Sequence, residues 1–411
     1  MAIASGVEKQ VIYKVQGSGL GTLATAGTAG QILRRVTSGI ELKKNTFQSN
    51  EIRTDYQISD FRHGSRYIEG GIQGEISPGT YAELMAAGVR GTFAAVKTAI
   101  TTLSMTSTYN STTKVATWTR ASGSFLTGGL RAGDVVKWTA GSFNASNNSK
   151  HLVVLSVTAL TFTAIALNGS DQVAESVAVT GATLTFVGKK VITPTSGHVS
   201  PYYTIEQYYG SGANFTEVFG DCRVSGLDIQ LPASGMATIG INLMGRSMST
   251  QTGAYFSGNT AANGLGVCAG ANGILIVSGA PVGNVTGMNF QLNGNMSKED
   301  VVGAATTPDV FQGSVAVSGQ MTVLLQDKTF VDMFKDETEA SIIMTLSTDN
   351  TALSDFVGFT LPRIKAGGNS KDDGQKGIVQ TVPFTALYNS AAPTTSGNEQ
   401  TTLAITDSQA P

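Results

Sequence analysis

Charge is scarce in this chain. Asp, Glu, Lys and Arg make up only 14% of the 411 residues, against roughly 25% in an ordinary soluble domain. Net charge is −2, so there is no basic footprint for gripping nucleic acid. A surface so poor in charge is expected to be covered in part by other subunits. The two cysteines, Cys222 and Cys268, cannot staple a fold of this size; buried free thiols and assembly in a reducing compartment are expected. The three histidines, His63, His151 and His198, lie in separate segments, and no pair has metal-ligand spacing. Residues 1–10 carry no apolar run behind a basic flank, so no signal peptide is expected. No stretch approaches the ~20 apolar residues of a bilayer span, so no membrane insertion is expected. There is no nucleophile elbow and no phosphate-binding Gly-Lys-Ser/Thr loop. Gly17-Ser-Gly-Leu-Gly21 has its third glycine misplaced for a dinucleotide turn, and no convincing helix follows it. The expectation is a protein without catalytic residues, cofactor or metal.

What is abundant is glycine, 49 residues, among Thr, Ser and Val. That mixture predicts a mainly β chain with few long helices. The clearest local signal runs from Ser65 to Ile76. Ile68, Gly70, Ile72, Gly74 and Ile76 fall on one face, and Tyr67, Glu69, Gly71, Gln73 and Glu75 on the other, the alternation of a half-buried strand. Ser77-Pro78 reads as an N-cap followed by proline at the first helical position. Tyr81, Leu84 and Met85 then form one apolar stripe of a short helix packed on the sheet.

A second copy of this unit stands further along. Val315, Val317, Gly319, Met321, Val323 and Leu325 alternate with polar residues, Asp327 can cap a helix, and Phe330, Met333 and Phe334 form its stripe. The two superpose at one constant spacing without a gap, Ile68 on Val317, Gly70 on Gly319 and Leu84 on Met333. Strand phase, turn length and helix stripe are kept together, which points to duplication. Each helix leads on to a hairpin, Leu227–Leu231 with Ile239–Leu243, and Phe359–Ile364 with 378–387.

The predicted organisation is a first unit of residues 1–99 with 191–255, a second of 256–390, and a small all-β domain inserted at 100–190. Residues 1–45 read as an extended arm, 41–64 as a loop or hairpin, and 391–411 as a polar tail. If copies of the strand close into a barrel, the apolar face packs against the helices. Glu69, Gln73 and Glu75, with Ser318, Gln320 and Thr322 of the second copy, then line the hole. Such a lining repels phosphates and lets a duplex slide. Asp372-Asp373 sits in a charged loop suited to contacts.

The stretches Ser49-Asn-Glu-Ile-Arg53, Phe61-Arg-His-Gly64 and Gly74-Glu-Ile-Ser-Pro-Gly-Thr-Tyr81 resemble the major tail tube proteins of long flexible-tailed, siphovirus-type bacteriophages. Tyr203-Thr-Ile-Glu206, Cys222-Arg-Val-Ser-Gly226, Leu361-Pro-Arg-Ile364 and Gln380–Leu387 fit the same pattern. The resemblance implies β-sandwich or barrel units, each with one flanking helix, in stacked rings around a channel. The channel would house the tape measure protein and conduct double-stranded DNA during ejection. Further partners implied are the tail terminator and tail-tip proteins, in a virion tail assembled in the host cytoplasm. Two units per chain favour three chains in a pseudo-sixfold ring over a true hexamer. Glu51, Arg53, Asp372 and Asp373 become candidate inter-ring loop residues, and the insertion is expected on the outside. The other reading is a surface adhesin or carbohydrate-binding β protein, suggested by the Thr/Ser-rich insertion.

Overall fold

The computed structural model describes residues 3–372, 374–375 and 377–411. The alternation after Ser65 builds the strand Phe61–Glu75, with Ile68 and Ile72 buried and Glu69 and Gln73 exposed. Its neighbour Thr238–Gly245 sets Ile241 opposite Ile72, and Phe215–Pro232 sets Leu227 opposite Ile241. Because side chains alternate with period two, these pairs fix the register: a one-residue slip would turn every isoleucine to solvent. Val285–Asn293 then pairs with the far edge of Phe215–Pro232, Ala316–Leu324 with that strand, and Val379–Ala386 with Ala316–Leu324. Six antiparallel strands thus run on as one sheet, flanked at one end by Glu41–Gln48.

The strands repeat. The first unit consists, in chain order, of Gln10–Val15, Glu41–Gln48, Phe61–Glu75, the helix Ala82–Gly88, Tyr203–Tyr208, Phe215–Pro232, Thr238–Gly245 and Ser247–Thr252. The second consists of Gly273–Val277, Val285–Asn293, Ala316–Leu324, the helix Thr329–Lys335, Ala340–Ser347, Phe356–Ala366, Val379–Ala386 and Ala404–Asp407. Every strand pairing of the first unit recurs between the counterparts in the second. The duplication reaches single atoms. A Cβ on Gly70 would lie 2.2 Å from Gly39 O and 2.7 Å from Ile40 Cα; one on Gly319 would lie 2.4 Å from Asn289 O and 2.7 Å from Phe290 Cβ. Glycine is required at both places because the neighbouring backbone fills the space of a side chain.

Residues 100–187 form a closed six-stranded barrel from Ile100–Asn110 to Val179–Val187. It is filled by Trp118, Trp138, Phe125, Phe143 and Phe162, with the two indoles 4.9 Å apart. It enters between the first helix and Tyr203–Tyr208 but packs on the second unit, where Val153, Leu155 and Ile165 meet Ile276, Ile343 and Phe356.

Several expectations are corrected. Residues 1–45 are not an arm: Gln10–Val15 pairs with Tyr203–Tyr208 and buries Val11, Ile12 and Tyr13. The strand-like run at 11–15 is a strand, and the Gly/Ala/Thr run after it is packed down, with Ala24 and Ile12 against Phe256. Phe256 and Asn263, which donates to Pro78 O at 2.7 Å, also place the stretch after 255 on the first unit. Residues 391–411 are not a tail: Ala404–Asp407 pairs with both Lys189–Ile192 and Phe356–Ala366, with Leu403 and Ile405 buried. A three-residue apolar run is lost in a polar average. The first helix starts at Ala82 rather than at Pro78. Pro78 and Gly79 (φ +74°) form a turn in which Thr80 N–H donates to Ser77 O, and the left-handed glycine stops the helix from reaching back.

Asp407 holds that turn. Its carboxylate accepts Gly79 N–H at 2.8 and 3.0 Å and Gln409 N–H at 2.8 Å. Burial pushes the carboxyl up to about 6, more than those donors pull it down. A raised carboxyl contributes stability below its unfolded value of 3.8 and loses it as pH rises through about 6. Asp407→Asn is expected to flatten this fall in melting temperature between about pH 4 and 6. An unchanged slope would assign the pH dependence elsewhere.

Candidate functional site

The polar side of the six-stranded sheet is built row by row. Gln73 lies opposite Gly240, Gly240 opposite Asp228, Asp228 opposite Gln291, Gln291 opposite Ser318, and Ser318 opposite Thr385. The adjacent row is Glu75, Thr238, Gln230, Asn289, Gln320 and Pro383. The fold therefore brings Gln73 and Ser318 into one row and Glu75 and Gln320 into the next. Thr322 lies one row beyond, opposite Gly287, and Glu69 lies toward the hairpin, opposite Met244. Every second residue on these strands points the other way into the core, as Ile72, Ile241, Ile229, Phe290, Met321 and Val382 do. The same pleat that buries the core thus exposes one polar face spanning both units.

That face carries carboxylates at Glu69, Glu75 and Asp228 and neither Lys nor Arg at these outward positions from 69 to 75, 226 to 232, 238 to 244, 287 to 293, 316 to 322 and 381 to 385. Asp228 is held by Asn242, whose Nδ2 donates to it at 2.8 Å. The remainder is amide, hydroxyl and glycine apart from Pro232, Met244, Ala316 and Pro383. These positions are hydrated and present no cation to a phosphate, while Arg223 and Lys365 flank them opposite Met244 and Thr385. Sequence reasoning missed Asp228, Gln230, Asn289 and Gln291. The signal was present in Gly287-Met-Asn-Phe-Gln-Leu-Asn293, which alternates as cleanly as the stretch after Ser65.

Of the helix residues, Tyr81, Leu84, Met85, Phe330 and Met333 are buried. Tyr81 donates its hydroxyl to Arg34 O at 2.7 Å, and burial pushes that phenol up to about 12. Phe334 is corrected: it is 44% exposed. The first helix buries Leu84, Met85, Ala86 and Ala87, whereas the second buries only Phe330 and Met333 and leaves Phe334 on its open side. Asp327 accepts Thr329 N–H at 2.8 Å at the start of that helix.

Glu51 and Arg53 lie in the exposed turn between Glu41–Gln48 and Phe61–Glu75, with Arg53 paired to Asp55 at 2.9 Å. Asp372 is exposed at the opposite end of the sheet, where it faces Val379, itself facing Leu324. Asp373 lies outside the described residues. The hairpin and Asp372 thus lie at opposite ends of the sheet. His63 and His198 are exposed, and His151 is buried against Ser354 O. Among the described residues no cluster of His, Cys, Asp and Glu is arranged to hold a metal, and no helix is long and apolar enough to cross a membrane.

The family model described as phage tail tube protein matches residues 170–386, more than half of the chain. The chain belongs to the phage tail tube protein family. No curated protein matches it. The matched region takes in the Tyr203–Glu206 and Cys222–Gly226 stretches and most of the closing one, while the resembling block at 49–81 lies outside it. A tail tube protein is a structural component of the virion tail. The chain is mainly β, with one continuous sheet and an inserted barrel.

Proposed function

We propose that this tail tube subunit assembles into rings of three chains, six units in all, stacked around a channel lined by the polar face. One observation carries this reading: two equivalent units in one chain contribute to a single sheet whose exposed side is polar and weakly acidic and carries neither Lys nor Arg at the outward positions given above. A low-dielectric wall bearing Glu69, Glu75 and Asp228 lets double-stranded DNA pass without capture and tolerates a tape measure protein before ejection. The position of the hairpin bearing Glu51 and Arg53 at one end of the sheet, and of Asp372 at the other, supports head-to-tail stacking, which generates an open filament. Terminator and tip proteins would cap the two ends. The barrel stands on the layer that does not carry the polar face, so it decorates the outside.

Electron microscopy of assembled protein tests this. A tube with threefold chain symmetry and six similar lobes around the lumen is expected. Discrete monomers at high concentration would remove the tube role, and strict sixfold chain symmetry would remove the pairing of units. A second experiment addresses the lining. Tubes carrying Glu69→Lys, Glu75→Lys and Asp228→Lys together are expected to retain short duplex DNA at low salt and release it steeply as salt rises, whereas wild-type tubes retain none. Equal retention by the two would mean that this face does not line the channel.

A further inference from the structure

Within the six-stranded sheet the two units of one chain meet along one pair of strands. Gly226 of Phe215–Pro232 stands opposite Asn293 of Val285–Asn293, and Asp228 opposite Gln291. Both strands have counterparts in the other unit. The counterpart of Val285–Asn293 is the stretch at 37–43: Ser38 faces Ile72 and Leu42 faces Ile68, as Met288 faces Met321 and Leu292 faces Val317. The counterpart of the Phe215–Pro232 edge is the stretch at 368–372. Ser370 faces Thr381, which faces Thr322, just as Asp228 faces Gly240, which faces Gln73. Among the described residues neither stretch has a strand along its second edge. Asn369, on the open edge at 368–372, has a buried Oδ1 without a hydrogen-bond partner. Unpaired strand edges are templates for another chain.

Charge agrees with this placement. At the junction inside the chain, Arg223 donates to Val310 O at 2.7 Å and lies 3.7 Å from Asp309. The place of Arg223 is taken in the second unit by Lys365, which faces Thr385 as Arg223 faces Met244. The place of Asp309 is taken in the first unit by Asp60. Each of the two aspartates accepts the N–H of the next residue, from Val310 at 2.7 Å and from Phe61 at 2.8 Å. Lys365, 3.4 Å from Glu337, therefore stands beside one open edge and Asp60, 2.7 Å from Arg62, beside the other, and both exposed pairs are free to exchange partners.

Building on the tube-subunit reading above, we propose that the edge at 368–372 of one chain pairs antiparallel with the edge at 39–43 of a second copy. In this register Ser370 lies opposite Glu41, Gly368 opposite Lys43, and Lys365 faces Asp60 of the second copy. The junction within the chain is thus repeated between chains, and the polar sheet closes into a ring.

Facing residues on antiparallel strands have Cβ atoms roughly 4.5–5.5 Å apart, close enough for a disulfide after small adjustment. Full-length protein carrying Glu41→Cys with Ser370→Cys is expected to form covalent dimers and trimers on oxidation, stopping at three chains. Cys222 and Cys268 do not compete, because both are buried and burial raises both thiols. The displaced pair Glu41→Cys with Asp372→Cys is expected to stay uncrosslinked. Tubes without crosslinks in the first pair, or equal crosslinking in the second, overturn the register and leave the tube reading intact. Covalent trimers without tubes keep the register and remove the tube reading; monomers without tubes overturn both. Independently, Lys365→Glu is expected to slow assembly at least ~10-fold, with recovery on adding Asp60→Lys in the same chain. No recovery would remove the Lys365–Asp60 contact from the proposal.

Discussion

Glu399→Gln is expected to lower the unfolding free energy by about 3–5 kcal/mol at neutral pH, although Glu399 lies in a stretch that reads as a polar tail. Lys190 is buried between Asp134 and Glu399, with Glu399 at 3.3 Å. Lys97 reaches the same two carboxylates at 2.9 and 3.2 Å. Two cations and two anions balance, and removing one carboxylate leaves an uncompensated buried charge. Lys97 is 30% exposed and can turn toward water, which places the expected loss at the lower end of that range. Burial alone would raise the Glu399 carboxyl, but Lys190 and Lys97 outweigh it and hold the group at about 2 instead of 4.5. A depressed carboxyl contributes stability above its unfolded value and loses it as pH falls toward its folded one. The gap between wild type and Glu399→Gln in chemical denaturation should therefore be full above about pH 5 and close progressively toward pH 2. Adding Lys190→Met should recover much of the loss, since an apolar side chain is better tolerated there than an unpaired ammonium. A gap that is constant in pH would show that Glu399 acts through packing and not through charge. The network also joins the barrel, through Asp134, to the chain end that completes the second unit.

The separation of Lys190 and Glu399 explains why such a network is hidden in a sequence. Glu399 lies 209 positions from Lys190, and neither has a local pattern to mark it. The alternation from Ser65 to Ile76 was legible because Ile68, Ile72 and Ile76 must face one core and Glu69 and Gln73 must not. The polar face followed from the same residues read in the opposite phase. Repetition was legible because one constant spacing kept strand, turn and helix stripe together. The burial of the end strands was not, although Val11–Val15 is strand-like in its residues. Gln10–Val15 and Ala404–Asp407 are short and flanked by small polar residues, and their burial depends on partners far along the chain. The start of the first helix turned on Gly79, whose left-handed backbone is invisible beside a strong Ser-Pro capping signal. Phe334 failed for a different reason. Spacing on a helix gives a face, but only the neighbouring elements decide how much of that face is covered, and they cover Met85 while leaving Phe334 open.

Gly70 and Gly319 occupy equivalent places, yet their substitutions should fail in different ways. Gly319→Val is expected to cost about 3 kcal/mol or more and lower the melting temperature of the free chain. Its Cβ would enter the space of Asn289 O, Phe290 Cβ and the Phe384 ring at 2.4 to 2.7 Å. The strand it would push away, Val285–Asn293, is held on its other side by Phe215–Pro232, so the displacement cannot be relieved. Gly70→Val meets Gly39 O and Ile40 Cα as closely, at a φ of +148° that a side chain resists. Beyond Gly39 and Ile40, however, no strand follows among the described residues; that edge is tied on by buried Ile40 and by the Gln207 amide, which donates to Ile40 O at 2.9 Å, and yields more readily than a strand paired on both sides. A smaller loss of stability is expected there, together with a large loss of tube formation, because the displaced edge is the one offered to the next copy. Melting of the unassembled protein and pelleting of tubes separate the two effects. If Gly70→Val assembles as well as wild type, the 39–43 edge does not close the ring; if it melts as early as Gly319→Val, that edge is fixed within the chain and is not free to receive a partner.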